Sequence, residues 1–88
     1  MLEVMWTTEQ ADRLGGALRE LRRSVGLSQE ALAYQAGITK NQLQLIEAGR
    51  STGRRDAAGP SNPRMATLAG LASVLGVSVA QLMAEAEL

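Results

Sequence analysis

LSQEALAYQAGITKNQLQLIEAG, residues 27–49, reads as two short helices joined by one tight turn. Ser28 can cap the first helix, because its hydroxyl can accept from a free N–H in the first turn. Leu32, Ala33 and Ala36 give that helix an apolar stripe. Gly37 follows at the point where the chain must take positive φ to leave a helix. Thr39 caps the second helix, and Leu43 and Ile46 are its inward pair at i, i+3. Gly49 ends it. Lys40, Asn41, Gln42, Gln44 and Leu45 then remain on the outside. Long amides on a short helix make poor core material, and their paired donor and acceptor suit the edges of bases.

The same residues carry a family resemblance. Leu27-Ser28-Gln29, Leu32-Ala33, Gly37, Leu43, Ile46, Glu47 and Gly49 resemble the helix-turn-helix of the lambda and 434 repressor and Cro group, the XRE-type DNA-binding domain. The spacing from Gln29 to Gly49 matches without a gap, and the similarity extends over roughly Leu14 to Leu82 apart from one insertion. The resemblance implies an all-α, compact five-helix bundle that binds double-stranded DNA.

Composition agrees. With 88 residues there is room for one domain. Apolar residues make up 45%, yet aromatics only 2% with no Phe, so Ala, Leu, Val, Ile and Met must fill a core of closely packed small helices. Strand signals are nearly absent. The lack of Cys removes disulfides and thiolate metal sites, and the lack of His removes the usual general base and the commonest metal ligand. With no nucleophile–base pair or metal cluster in view, neither an enzyme nor a cofactor is expected. No stretch approaches the ~18 apolar residues of a membrane span. The first residues have no basic region ahead of their apolar run, so no signal peptide is expected. The expected setting is the cytoplasm of a bacterium or its phage, near the nucleoid.

Net charge is zero, but it is unevenly distributed. Residues 13–64 hold all nine basic residues and only Glu20, Glu30, Glu47 and Asp56, a surplus of five. A polyanion responds to the local field rather than the total. These charges either attract nucleic acid or are simply solvated.

The expected organisation is an apolar tail at 1–7 followed by the DNA-binding domain at 8–86, with the helix-turn-helix at 28–48 and an inserted loop at 50–62. MLEVMW, residues 1–6, can fray, pack on the body, or meet a second subunit. Helix 1 is expected over about Thr8 to Val25, opened by a capping box from Thr7 to Gln10. Its buried stripe is Ala11, Leu14, Leu18, Leu21 and Val25. Gly15 and Gly16 weaken it by about 1 kcal/mol each relative to Ala and would allow a close helix contact. Helix 4 is expected to begin at or soon after Asn62–Pro63, a cap followed by proline at a first helical position, and to run to about Leu75, with Met65, Leu68, Leu71, Ala72 and Leu75 inward. Helix 5 starts at the Ser78–Gln81 capping box and buries Val79, Leu82 and Met83, and residues 84–88 should fray.

The resemblance also assigns roles. Gln29 corresponds to a glutamine that donates to a DNA phosphate beside the positive end of its helix. Thr39, Lys40, Asn41, Gln42, Gln44 and Leu45 fall on the recognition helix, whose N-terminal end enters the major groove. Asn41 and Gln42 can read adenine bidentately or bridge two base edges, and Lys40 can meet guanine or a phosphate. Leu45 either touches a thymine methyl or packs on the following loop. Relatives often carry glutamine where Lys40, Asn41 and Leu45 stand, so the operator cannot be copied from them. Arg50 matches a phosphate-contacting position. Arg54 and Arg55, in RSTGRRDAAGPSN at 50–62, add phosphate or minor-groove contacts or belong to a tolerated insertion. Arg22 and Glu47 correspond to a structural ion pair. Tyr34 either contacts a phosphate or simply lies on the surface, and the surface is the expectation.

The function taken forward is a transcriptional regulator, a repressor acting as a homodimer. The alternatives are the antitoxin of a toxin–antitoxin pair, with a small toxin as partner, or a protein-interaction module that has lost DNA binding.

Overall fold

The computed structural model describes residues 6–51 and 60–88. Among the described residues five helices form: α1 (Thr8–Ser24), α2 (Gln29–Ala36), α3 (Lys40–Glu47), α4 (Met65–Leu75) and α5 (Val79–Glu85). The five helices bear out the all-α reading. Among the described residues, no single helix is long and apolar enough to cross a membrane.

Local chemistry sets most of the boundaries. Thr7, Thr39 and Ser78 each accept from the N–H three residues on, while Gln10, Gln42 and Gln81 reach back to the cap N–H, so α1, α3 and α5 open with full capping boxes. Ser28 accepts from the Ala31 N–H to start α2. Gly37 takes φ +76 at the end of α2, which turns the chain into α3 within three residues.

Leucines fill the centre. Leu14, Leu18, Leu32, Leu43, Leu71 and Leu82 are fully buried, and each contributes about 1.5–3 kcal/mol of transfer free energy. α1 packs on α3 and α5, α2 packs on α3 and α4, and α4 packs on α5. This arrangement holds α3 between α1 and α2 and leaves its remaining side outward.

α1 lies tight against the end of α3. A Cβ placed on Gly15 would overlap the carbonyls of Ile46 and Glu47, with the Glu47 carbonyl carbon at 2.8 Å. Gly49, at φ +72, lies so close to Asp12 that a side chain there would strike it. Arg19 donates to the Glu47 carbonyl oxygen at 3.3 Å, placing a cation on the negative end of α3. Arg22 completes the stripe. Its Nε donates to Glu47 Oε2 at 2.8 Å and its Nη2 to Oε1 at 3.0 Å, while Nη1 donates to the Leu27 carbonyl at 3.0 Å. The hydrogen bonds to Glu47 hold the Arg22 pKa above its ordinary value, against the opposing effect of burial. Asp12, Gly15, Arg19 and Arg22 are thus one line of α1 at i, i+3, i+4 spacing, laid along the end of α3.

Several expectations are corrected. Val25 is not in the core; it is 48% exposed, because α1 ends at Ser24 and the Leu27 N–H returns to the Arg22 carbonyl. Val25 therefore sits on the turn, and Leu27 is the residue that packs back. α4 begins at Met65 with Arg64 as N-cap and no side-chain cap, so Asn62–Pro63 lies before the helix. Met65, in the exposed first turn, is 66% accessible rather than buried. Gly16 has open space where its Cβ would be, so only Gly15 serves a close contact. The C-terminus does not fray: Ala86 is buried, and the Leu88 N–H bonds the Met83 carbonyl at 2.9 Å. Residues 1–5 and 52–59, including Arg54 and Arg55, lie outside the described residues.

Two substitutions check this frame. Gly15→Ala should cost about 1–3 kcal/mol in urea unfolding, the range for overpacking, whereas Gly16→Ala should gain about 1 kcal/mol from helix propensity. Glu47→Ala should cost about 3–5 kcal/mol in the same measurement, because it leaves the Arg22 guanidinium buried without its carboxylate.

Candidate nucleic-acid interface

α3 presents a ridge of polar side chains. Lys40, Asn41, Gln42 and Gln44 are all exposed, with Thr39 ahead of them. Leu43, Ile46 and Glu47 face inward and are buried, which fixes the rotation of the helix about its own axis.

Two of the candidate readers are already engaged. Gln42 Oε1 accepts from the Thr39 N–H at 2.8 Å, and Thr39 Oγ1 accepts from the Gln42 N–H at 3.0 Å. The bond to the Thr39 N–H orients the Gln42 amide within its own helix, leaving its amide hydrogens and the second lone pair of Oε1 unused there. The Thr39–Gln42 spacing is the signal that marks this box in the sequence. Gln29 is held as well: its Nε2 donates to Glu47 Oε1 at 2.9 Å. One carboxylate therefore fixes both Arg22 and Gln29. In the first turn of α2 the Ala31 N–H is taken by the Ser28 hydroxyl, while those of Gln29 and Glu30 have no intrahelical carbonyl to bond.

An open trough runs along each side of the ridge. One, of about 380 Å³, is lined by Arg19, Arg22, Arg23, Gln29, Gln44 and Glu47. The other, of about 590 Å³, brings Gln42, Leu45 and Arg50 of the α3 side against Pro60, Asn62 and Arg64. Arginines thus flank the amide ridge on both sides. Arg19 and Arg64 had no place in the sequence reading of the interface. Arg23 is only loosely engaged by Glu20, at 3.8 Å and in solvent, a pairing worth little. Leu45 is half-buried in the second trough with Ile38 and the two prolines, Pro60 and Pro63, rather than at the tip of the ridge. Tyr34 is 86% exposed, on the outer side of α2.

The stem of the connection between α3 and α4 is ordered by backbone pairing. Arg50 and Pro60 form an antiparallel bridge, the Ser61 N–H donates to the Gly49 carbonyl at 3.0 Å, and the Arg50 N–H closes on the Leu45 carbonyl at 2.9 Å. Arg50 is thereby fixed just past the end of α3.

Comparison with known proteins matches this geometry. A family model for the helix-turn-helix domain matches residues 13–85. The fold is similar to that of the clp gene regulator ClgR from Corynebacterium glutamicum, at 27% identity and TM-score 0.73 over 89% of this chain and 72% of that one. It is similar to the restriction-modification controller protein C.AhdI from Aeromonas hydrophila, at 29% identity and TM-score 0.67 over 82% of this chain and 94% of that one. It is also similar to SinR, a master regulator for biofilm formation solved in complex with DNA, at 31% identity and TM-score 0.63 over 80% of this chain and 97% of that one. A comparison with curated protein sequences finds no match. The amide ridge on α3, the capped turn that presents it and the match over residues 13–85 place this chain in the helix-turn-helix domain family, among the lambda-repressor-like DNA-binding regulators.

Proposed function

We propose that the protein is a sequence-specific double-stranded-DNA-binding transcriptional regulator, a repressor that acts as a homodimer in the bacterial or phage cytoplasm, and not an enzyme. The observation that carries this reading is the outward ridge of Lys40, Asn41 and Gln44 on α3 between two arginine-lined troughs. A helix lying in a major groove has a phosphate ridge on either side. Cations in both troughs suit those ridges, while the amides of Asn41 and Gln44 suit base edges.

Roles follow from how each side chain is held. Asn41 and Gln44 are the readers, with Lys40 reaching guanine or a phosphate. Thr39 and Gln42 set the start of the helix, and the spare amide hydrogens of Gln42 donate. Gln29 meets a phosphate while Glu47 orients it. Arg50 contacts phosphate past the end of α3, and Arg54 and Arg55 extend that contact along the backbone. Leu45 shapes the second trough.

One such unit makes few base contacts and would bind with limited specificity alone. A dimer spanning half-sites about one helical turn apart, near 34 Å, supplies the rest, and occupancy of a promoter would then block transcription. The DNA complex of SinR supports nucleic acid as the partner class.

Two measurements test this. Asn41→Ala should lose about 1–3 kcal/mol of discrimination at one base pair while random-sequence affinity changes little, measured by competition binding on selected and scrambled duplexes. Arg54→Ala with Arg55→Ala should make the slope of log affinity against log salt shallower by about two, near 0.9 for each phosphate contact removed.

A further inference from the structure

Trp6 precedes α1 and belongs to none of the elements that form the helix-turn-helix, yet it is tied to them. Its indole Nε1–H donates to the carbonyl oxygen of Ser61, 55 positions away in sequence, and its ring packs against the core. The N–H of the same Ser61 donates to the Gly49 carbonyl, and Gly49 is the residue that ends α3. Next to Gly49, Arg50 bridges Pro60. A continuous hydrogen-bonded line therefore runs from the tryptophan through the buried Ser61 backbone to the last turn of the recognition helix.

That line has arginines at both ends of its reach. Arg50 follows Gly49 directly, and Arg64 stands three residues beyond Ser61 as the N-cap of α4. Both line the trough beside Gln42 and Leu45. The spacing between the two is set by where the 60–64 segment lies against α3. The segment precedes α4 and joins it at Arg64, whose carbonyl accepts from the Leu68 N–H, and Pro60 and Pro63 share a trough with Ile38 and Leu45. To these contacts the Trp6 indole adds a side-chain hydrogen bond from the opposite end of the chain.

We propose that Trp6 is a positioning residue for DNA binding: its indole, donating to Ser61, locks the 60–64 segment against the end of α3 and so sets Arg50 and Arg64 at a fixed separation for two backbone phosphates. This rests on the DNA-binding reading given above. Trp6 itself touches no DNA. Pre-setting two exposed arginines spares the ordering that binding would otherwise require.

The test uses the full chain with Trp6→Phe, which keeps an aromatic ring and deletes the donor. The probe is a mixed-sequence duplex, because phosphate contacts do not depend on base sequence. Affinity is measured against salt, and thermal unfolding is followed by circular dichroism to correct for any unfolded fraction. The expected result is a slope of log affinity against log salt shallower by about one to two. In an Arg50→Ala, Arg64→Ala background, Trp6→Phe should change neither slope nor affinity further. An unchanged slope for the folded variant, or an equal loss of affinity in both backgrounds, overturns the proposal. Failure of the unmodified protein to bind the duplex at low salt overturns the DNA-binding reading with it. The unmodified protein gives an independent measurement, since Trp6 is its only tryptophan. Acrylamide quenching of its emission should not rise when duplex binds, and a rise would mean the latch opens in the complex, which also overturns the proposal.

Discussion

The contact between Gly15 of α1 and the last carbonyls of α3 is the constraint on which the surface depends. With no Cβ at Gly15, the Ile46 and Glu47 carbonyls can lie against the α1 backbone. That closeness lets Arg19 reach the end of α3 and Arg22 reach the Glu47 carboxylate. Glu47 is 4% exposed, so an unpaired carboxylate there would be costly, and the bidentate arginine resolves it. The recognition helix is thus fixed in rotation by Leu43 and Ile46 and in depth by a glycine and an ion pair.

The same economy of polar groups extends to the outward side of α3, the face proposed to meet DNA. Gln42 looks like a reader in sequence but closes the cap of its own helix. Gln29 looks like a free phosphate donor but is oriented by Glu47, the partner of Arg22. A short helix has few internal hydrogen bonds relative to its ends, so side chains near its start are drawn into satisfying those ends. Under the proposed function, what remains free for bases is narrower than the exposed residues suggest, centred on Asn41 and Gln44, with Lys40 beside them. Specificity in so small a unit would then depend on a few amides and on arginines that fix register along the backbone.

Charge shows why a zero total is compatible with a polyanionic partner. The acids outside residues 13–64, Glu3, Glu9, Asp12, Glu85 and Glu87, belong to the two ends of the chain. The arginines gather around α3: Arg19, Arg22 and Arg23 in one trough, Arg50 and Arg64 in the other. Some of the acids lie near these arginines, Glu85 and Glu87 beside Arg13 and Arg19 and Asp12 beside Gly49, so the cationic surplus is local to the two troughs, and it is the local field that acts on a polyanion.

Sequence alone determined the starts and caps of α1, α2, α3 and α5 and the outward face of α3, because each depends on interactions within a few residues. The capping spacings, the glycine after α2 and the 3–4 apolar stripes are all local, and the α2 and α3 starts are placed correctly from them. Local rules failed where a helix met an edge of the core. Val25 continued a stripe that the turn interrupts, Met65 stood in a first turn beyond the packed layer, and the proline after Asn62 suggested a start that lies two residues early. Only the tertiary structure decided which of two adjacent glycines serves a contact, that Glu47 holds Gln29 as well as Arg22, and that Trp6 reaches Ser61. Those facts join residues 18 to 55 positions apart, and distance along the chain carries no information about them until burial in a common core brings the side chains together.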